Sequence, residues 1–385
     1  MKQGIGRSFG RSVRFGWVRM AAIASALIAM VSLTGCSGFF TALTSTSTAV
    51  GSSTYAYVAN YGGTVSAYTL TSGVLAAISG SPLDLAYEPT SVVVAPNNAF
   101  LYVGTSSGIY LYTIGTGGVL TEGNDSTIVS ASIPTSMAID ATSSWLIVST
   151  AATTSGLQAI QLTASTGVPT GTAVNANLSA ATATHIAISP ANSQIAVTMG
   201  VGGTDFFGFT ASSNTPFGTE VTTAVKTSGN SANAVTFNST SAYVFIAEAT
   251  TSGGILRVMG TGALGTDLYT PYTVGNGPSA VLADATDAYV YVANETDNSI
   301  TGFSITATSG ELTALTDSPF ATAKSPVALA EDATDSYVLA IGYGNNPNLW
   351  VYGFDSTTAG TLDVASTTTT GSTDPSLSNA IALSH

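Results

Sequence analysis

The chain is poor in charge, and in cations above all. Charged residues make up 8% of its 385 positions, against about 25% in a typical soluble domain. Eight Lys and Arg face 21 Asp and Glu. Lys2, Arg7, Arg11, Arg14 and Arg19 crowd the N-terminus, so only Lys226, Arg257 and Lys324 remain beyond it. Three scattered cations cannot neutralise a run of phosphates, which excludes nucleic acid as a partner. Polyanionic ligands are disfavoured on the same ground. Cys36 is the only cysteine, so no disulfide forms within the chain. His185 and His385 are the only histidines. G-x-S-x-G, H-E-x-x-H, P-loop and C-x-x-C patterns are all missing. No metal and no cofactor is therefore expected. Beyond residue 54 no stretch sustains a helical period.

What is present comes in two parts. Residues 1–35 have a basic start and an apolar run over 21–33, too short to span a bilayer comfortably. They end in Leu33-Thr34-Gly35-Cys36, which resembles the bacterial lipobox. That resemblance implies cleavage before Cys36 and a lipid on its sulfur. The protein is then exported and held at the outer membrane or cell surface, with the periplasmic face as an alternative. Residues 36–53 are rich in Ser and Thr and are expected to form a flexible tether. Residues 54–385 hold the folded domain, expected to be monomeric.

That domain repeats. Gly277-Pro-Ser-Ala-Val-Leu-Ala-Asp-Ala-Thr-Asp-Ala-Tyr-Val-Tyr-Val-Ala-Asn294 is its clearest unit. A Pro-led strand, a polar turn and a strong aliphatic or aromatic strand follow one another. Further copies place equivalent positions at Ala59, Gly104, Ser149, Thr198, Ala247, Ala293 and Ile341. These intervals are the length of a four-stranded blade. The first unit lacks its Pro-led strand, and the segment 374–383 supplies one without a partner. The expectation is an all-β, seven-bladed β-propeller closed by pairing a C-terminal strand with the N-terminal blade.

Tyr57-Val-Ala-Asn60 and Tyr291-Val-Ala-Asn294 look like the YVTN-type propeller repeat. The pattern over residues 54–385 resembles the bacterial lactonase family of seven-bladed propellers, named for 6-phosphogluconolactonase. The resemblance implies architecture strongly and activity weakly, because one fold hosts many functions.

Candidate site residues follow from the repeat. In a propeller the first strands line a central channel whose mouth is the default ligand site. His185 stands where other blades carry Ser or Ala and would suit a general base. Glu248 replaces Asn at the position of Asn60 and Asn294, and is the second catalytic candidate. Asn60, Glu88, Arg257, Asn294 and Lys324 are candidates for ligand binding at the mouth. The pairs Asp284/Asp287 and Asp332/Asp335 are expected to cap their own turns rather than hold a metal. Recurring aromatics are expected to pack between sheets. The composition favours a non-catalytic binding or structural module at the envelope, with a glycan or protein partner. The alternative is a lactonase-type carboxylic ester hydrolase opening a sugar lactone at the channel mouth.

Overall fold

The protein is seen in a computed structural model that describes residues 54–385, except 125–126, 345, 372–374 and 376–379. The expected signal peptide, Cys36 and the expected tether lie outside the described residues, as does the start of the C-terminal segment. Among the described residues no helix is long and apolar enough to cross a membrane.

Seven antiparallel sheets make the domain, each ordered from an inner first strand outward. The first strands of blades 2 to 7 are Pro89–Val94, Ser136–Ile139, His185–Ile188, Ser231–Phe237, Pro278–Ala283 and Pro326–Glu331. Blade 1 takes its first strand from the other end of the chain. Ile381–Leu383 pairs antiparallel with Thr54–Asn60, setting Ala56 opposite Leu383 and Val58 opposite Ile381. Neighbouring first strands touch in cyclic order, so the blades close into a ring. The expected seven-bladed propeller and its closure are both present.

The alternation of the strands explains the packing. Each strand shows opposite faces to the two neighbouring blades. The core is accordingly seven wedges, one per blade interface. In blade 5, for instance, Phe245 and Ala247 face blade 6 while Val244 and Ile246 face blade 4.

Two belts tie the blades together, and both use residues that recur. In every blade but the fourth, an aromatic at the start of the second strand lies against the outer turn of the next blade. Tyr55 sits over Gly118, Phe100 over Gly167, Tyr243 over Gly310, Tyr289 over Gly360 and Tyr337 over Gly73. Trp145 donates its indole N–H to the Ala211 carbonyl (2.8 Å). In blade 4 the position is Gln194, whose amide donates to the Thr261 carbonyl (2.9 Å). Two residues further on, Tyr57, Tyr102 and Tyr291 are fully buried. Their hydroxyls donate to the carbonyls of Gly118, Gly167 and Gly360. Burial pushes the Tyr57, Tyr102 and Tyr291 hydroxyls above the usual phenol range.

The second belt runs through the turns between first and second strands. Asn98, Ser143, Asn192, Ser241 and Asp287 all take left-handed backbone conformations, with φ between 52° and 60°. Asn, Asp and Ser accept that conformation more readily than most residues, through local side-chain hydrogen bonds. Each side chain accepts a backbone N–H from the preceding blade. The donors are His385, Asn97, Ala141, Ala191 and Ser239, at 2.7, 3.3, 3.2, 2.9 and 2.6 Å.

Candidate functional site

An axial cavity of about 470 Å³ runs between the first strands. Its wall is mostly apolar, contributed by Val92, Met137, Ile188, Val235, Leu329 and their neighbours. The polar side chains that reach it are few: His185, Thr236, Glu331 and the C-terminal His385. No Lys or Arg lines it.

His185 opens the first strand of blade 4 and stands opposite Thr198 in register. Equivalent places in other blades hold Ser91, Ser136, Ala234, Ala280 and Ala328. The imidazole is thus an addition to a ring of small residues, as the repeat implies, and it lines the cavity.

Glu331 ends the first strand of blade 7, opposite Val338. The corresponding residues elsewhere are Val94, Ile139, Ile188, Phe237, Ala283 and Leu383, all apolar. One carboxyl oxygen, Oε2, accepts the Ala285 N–H of blade 6 at 2.8 Å. This contact takes the place of the turn belt's link between blades 6 and 7. The other oxygen, Oε1, is buried and has no hydrogen-bond partner within the protein. Burial pushes the Glu331 carboxyl up to about 7, against the pull of the Ala285 N–H; Asp284, Asp335 and Asp332 add to the rise. Sequence reasoning passed over this residue because it belongs to the strand and not to the mouth. The signal available was one acid at a strand position that is otherwise always apolar.

Glu248, Arg257 and Asp267 form a separate network on the blade 4 side of blade 5. Glu248 is buried, and its Oε1 meets Arg257 Nη1 at 3.2 Å. Its Oε2 accepts from Asn230 Nδ2 at 2.8 Å. Arg257 also holds Asp267 through two parallel bonds of 3.0 and 2.9 Å, and donates to Thr227 Oγ1. A buried, fully engaged group of this kind ties the chain entering blade 5 to the sheet. Glu248 and Arg257 are brought together with each other, and neither lines the cavity.

The remaining candidates lie apart from the cavity. Asn60 Nδ2 donates to Thr64 Oγ1, Ser66 Oγ and the Thr370 carbonyl. Asn294 Nδ2 donates to Ser299 and Thr301 in the same manner. Both side chains reach across to the third strand of their blade and are fully buried. Glu88 and Lys324 are exposed in the connections that lead into blades 2 and 7.

Asp284 and Asp332 cap their own turns as expected, whereas Asp287 reaches Asn238, Ser239 and Thr240 of the preceding blade. Asp332 Oδ1 accepts the N–H groups of Ser336 and Tyr337, while Oδ2 accepts that of Thr334. Asp284 accepts from Tyr289 N and Thr286 Oγ1, and Asp140 serves its own turn likewise. Among the described residues no group of three or more His, Cys, Asp or Glu could hold a metal ion.

Residues 217–373 match the family profile "Lactonase, 7-bladed beta-propeller". That stretch runs from the outer strand of blade 4 to the approach to the ring seam. A search of curated proteins finds no match. Several solved structures share the fold. A periplasmic gluconolactonase of Pseudomonas aeruginosa is 16% identical, with a TM-score of 0.65 over 84% of this chain and 98% of that one. A proposed 6-phosphogluconolactonase of Bacteroides fragilis is 14% identical, with a TM-score of 0.64 over 86% and 98%. A protein from Lactobacillus plantarum is 17% identical, with a TM-score of 0.65 over 86% and 98%. At these identities the likeness is one of fold.

Proposed function

From the premise that this chain is a seven-bladed propeller whose residues 217–373 match the lactonase profile, we propose that it hydrolyses a neutral lactone in its axial channel. Composition alone leaned toward a non-catalytic binding module. The family profile and the gluconolactonases among the structures of like fold favour the hydrolase instead. The observation that carries the reading is Glu331, a raised carboxyl on a mostly apolar cavity whose only other polar lining residues are His185, Thr236 and His385.

In this reading Glu331 is the base. A carboxyl that titrates near 7 is in part ionised at neutral pH and can take a proton from water. Its Oε2 accepts from Ala285, and Oε1, buried and without a partner within the protein, turns toward the channel to meet that water. Attack on the lactone carbonyl makes a tetrahedral oxyanion. Its collapse breaks the bond to the ring oxygen, which leaves as an alkoxide and takes up the proton that Glu331 took from water, returning the base to its carboxylate form. His185 stands at the other end of the first strands and across the ring, and is assigned to hydroxyl oxygens at the far end of the substrate, as a hydrogen-bond partner. The products are one hydroxy acid and no other fragment. A 6-phosphorylated substrate would call for Arg or Lys near its phosphate, and the cavity wall has none. The N-terminal sequence supports an exported enzyme anchored through Cys36, which places neutral extracytoplasmic lactones within reach.

The test is hydrolysis by the full-length protein in detergent, against glucono-1,5-lactone and its 6-phosphate, above the spontaneous rate. Turnover of the neutral lactone is expected, with the phosphorylated one poorer. Glu331→Gln should lower kcat/KM by about 100-fold, the usual weight of general acid–base catalysis, and His185→Ala should raise KM severalfold. No turnover with either lactone, or full activity in both variants, overturns the proposal.

A further inference from the structure

Resting on the hydrolase reading above, we propose that His385 is the oxyanion donor of the site. Its imidazole N–H serves the carbonyl oxygen of the lactone while Glu331 takes a proton from the attacking water. His185 cannot fill that place, because it lies at the other end of the first strands.

The repeat sets Glu331 and His385 at the same end of the channel, in neighbouring blades. Leu383 stands opposite Ala56 in blade 1, and Glu331 stands opposite Val338 in blade 7. Ala56 and Val338 each follow the belt aromatic, Tyr55 or Tyr337, so Leu383 and Glu331 share one level. The pairing in blade 1 runs on to Ser384, whose N–H donates to the Tyr55 carbonyl at 2.9 Å. In blade 6 the Asp284 N–H donates to the Tyr289 carbonyl at 3.0 Å in the same way. His385 is therefore to blade 1 what Ala285 is to blade 6. Ala285 reaches Glu331 Oε2 from the blade before it. His385 holds the same position in the blade after it, and the first strands of blades 7 and 1 touch.

The fold leaves both functional groups unused. Oε1 of Glu331 is buried without a partner within the protein. The backbone of His385 is tied twice to Asn98, its N–H donating to Oδ1 at 2.7 Å and its carbonyl accepting from Nδ2. The imidazole makes no hydrogen bond among the described residues, and His385 lines the cavity that Glu331 lines. Asn98 thus fixes the main chain and leaves the ring to the channel.

An imidazole has an N–H to give in either protonation state. As water adds to the lactone, negative charge gathers on the carbonyl oxygen, and a bond from that N–H strengthens with it. Such a bond lowers the barrier more than it aids binding. The imidazole transfers no proton, since the one held by Glu331 returns to the ring oxygen. The substrate lies along the channel, with its carbonyl at the turn-belt end and its hydroxyls toward His185.

The test is the steady-state hydrolysis of glucono-1,5-lactone by the full-length protein in detergent. His385→Ala should lower kcat by about 100-fold, the weight of one oxyanion donor, with KM little changed. His385→Gln keeps an N–H donor and should recover much of that loss. His385 is exposed, so added imidazole should also restore part of the rate to His385→Ala. The melting temperature of both variants should match the parent, because the side chain bonds nothing in the protein. If the parent and Glu331→Gln behave as the hydrolase reading requires, a normal kcat in His385→Ala overturns the assignment alone. A loss through KM only, a loss that neither glutamine nor imidazole repairs, or a fall in melting temperature overturns it too. A parent without turnover removes the hydrolase reading and this assignment with it.

Discussion

Glu331 and Glu248 are both buried acids, and their surroundings give them different characters. Glu248 has an arginine against it, and removing that arginine would leave an unpaired buried charge. Glu331 has one backbone N–H and no cation. Its carboxyl titrates near 7 in the folded protein, well above the usual carboxylate value. An acid raised in this way favours the folded state below its ordinary value, and that contribution fades as pH climbs through 7. The melting temperature of Glu331→Gln should therefore gain on the parent between pH 5 and pH 8. Melting curves of both proteins at those two values decide it, and an equal offset at each would sink the assignment. His185 was legible in the sequence because it breaks a run of Ser and Ala. Glu331 breaks a run of aliphatic residues just as plainly, but a scan for mouth residues does not look inside a strand. The engagement of Glu248 was not legible, since its partner Asn230, and the Asp267 that holds its partner Arg257, come from connections outside the repeat.

At the scale of strands and turns, the aromatic belt makes the repeat intelligible. The second strands open on Tyr, Phe or Trp because that side chain has a turn of the next blade to cover. Gly360 shows the constraint. Its φ is +80°, and a Cβ there would lie 2.4 Å from the Tyr289 ring. Gly360→Ala combines a left-handed alanine with a steric overlap and should cost about 2–4 kcal/mol. Gly80 has φ +85° and nothing within 4 Å of its Cβ position. Gly80→Ala should cost about 1 kcal/mol, the backbone part alone. Denaturant unfolding of the two variants separates the effects, and equal losses would show that the close approach is unimportant. Strand order and blade boundaries were legible from the period of two and the turn residues. The polar substitute in blade 4, Gln194 reaching the Thr261 carbonyl, was not, because it departs from the aromatic pattern that marks the other blades.

At the scale of the whole ring, stability depends on a short strand. Ile381–Leu383 covers the edge of Thr54–Asn60, and the hydroxyl of Ser384 accepts the Tyr55 N–H at 2.8 Å. Deleting residues 380–385 should lower the melting temperature by on the order of 10 °C and leave a strand edge open to pairing with another molecule. Size-exclusion chromatography should then show self-association, and an unchanged elution volume with unchanged melting would count against closure by this strand. The same seam bears on how the molecule forms. Each blade assembles mainly from neighbours along the chain, whereas Tyr55 and Ser384 are 329 positions apart. Bringing such distant ends together costs about 5 kcal/mol in chain entropy if the intervening residues are still unstructured, taken as (3/2)RT ln n. Once six blades have stacked, their geometry has already carried the ends to one another. Closure is therefore a late event with low contact probability until the arc is built. The open arc is the species in which this protein is most exposed to misassembly.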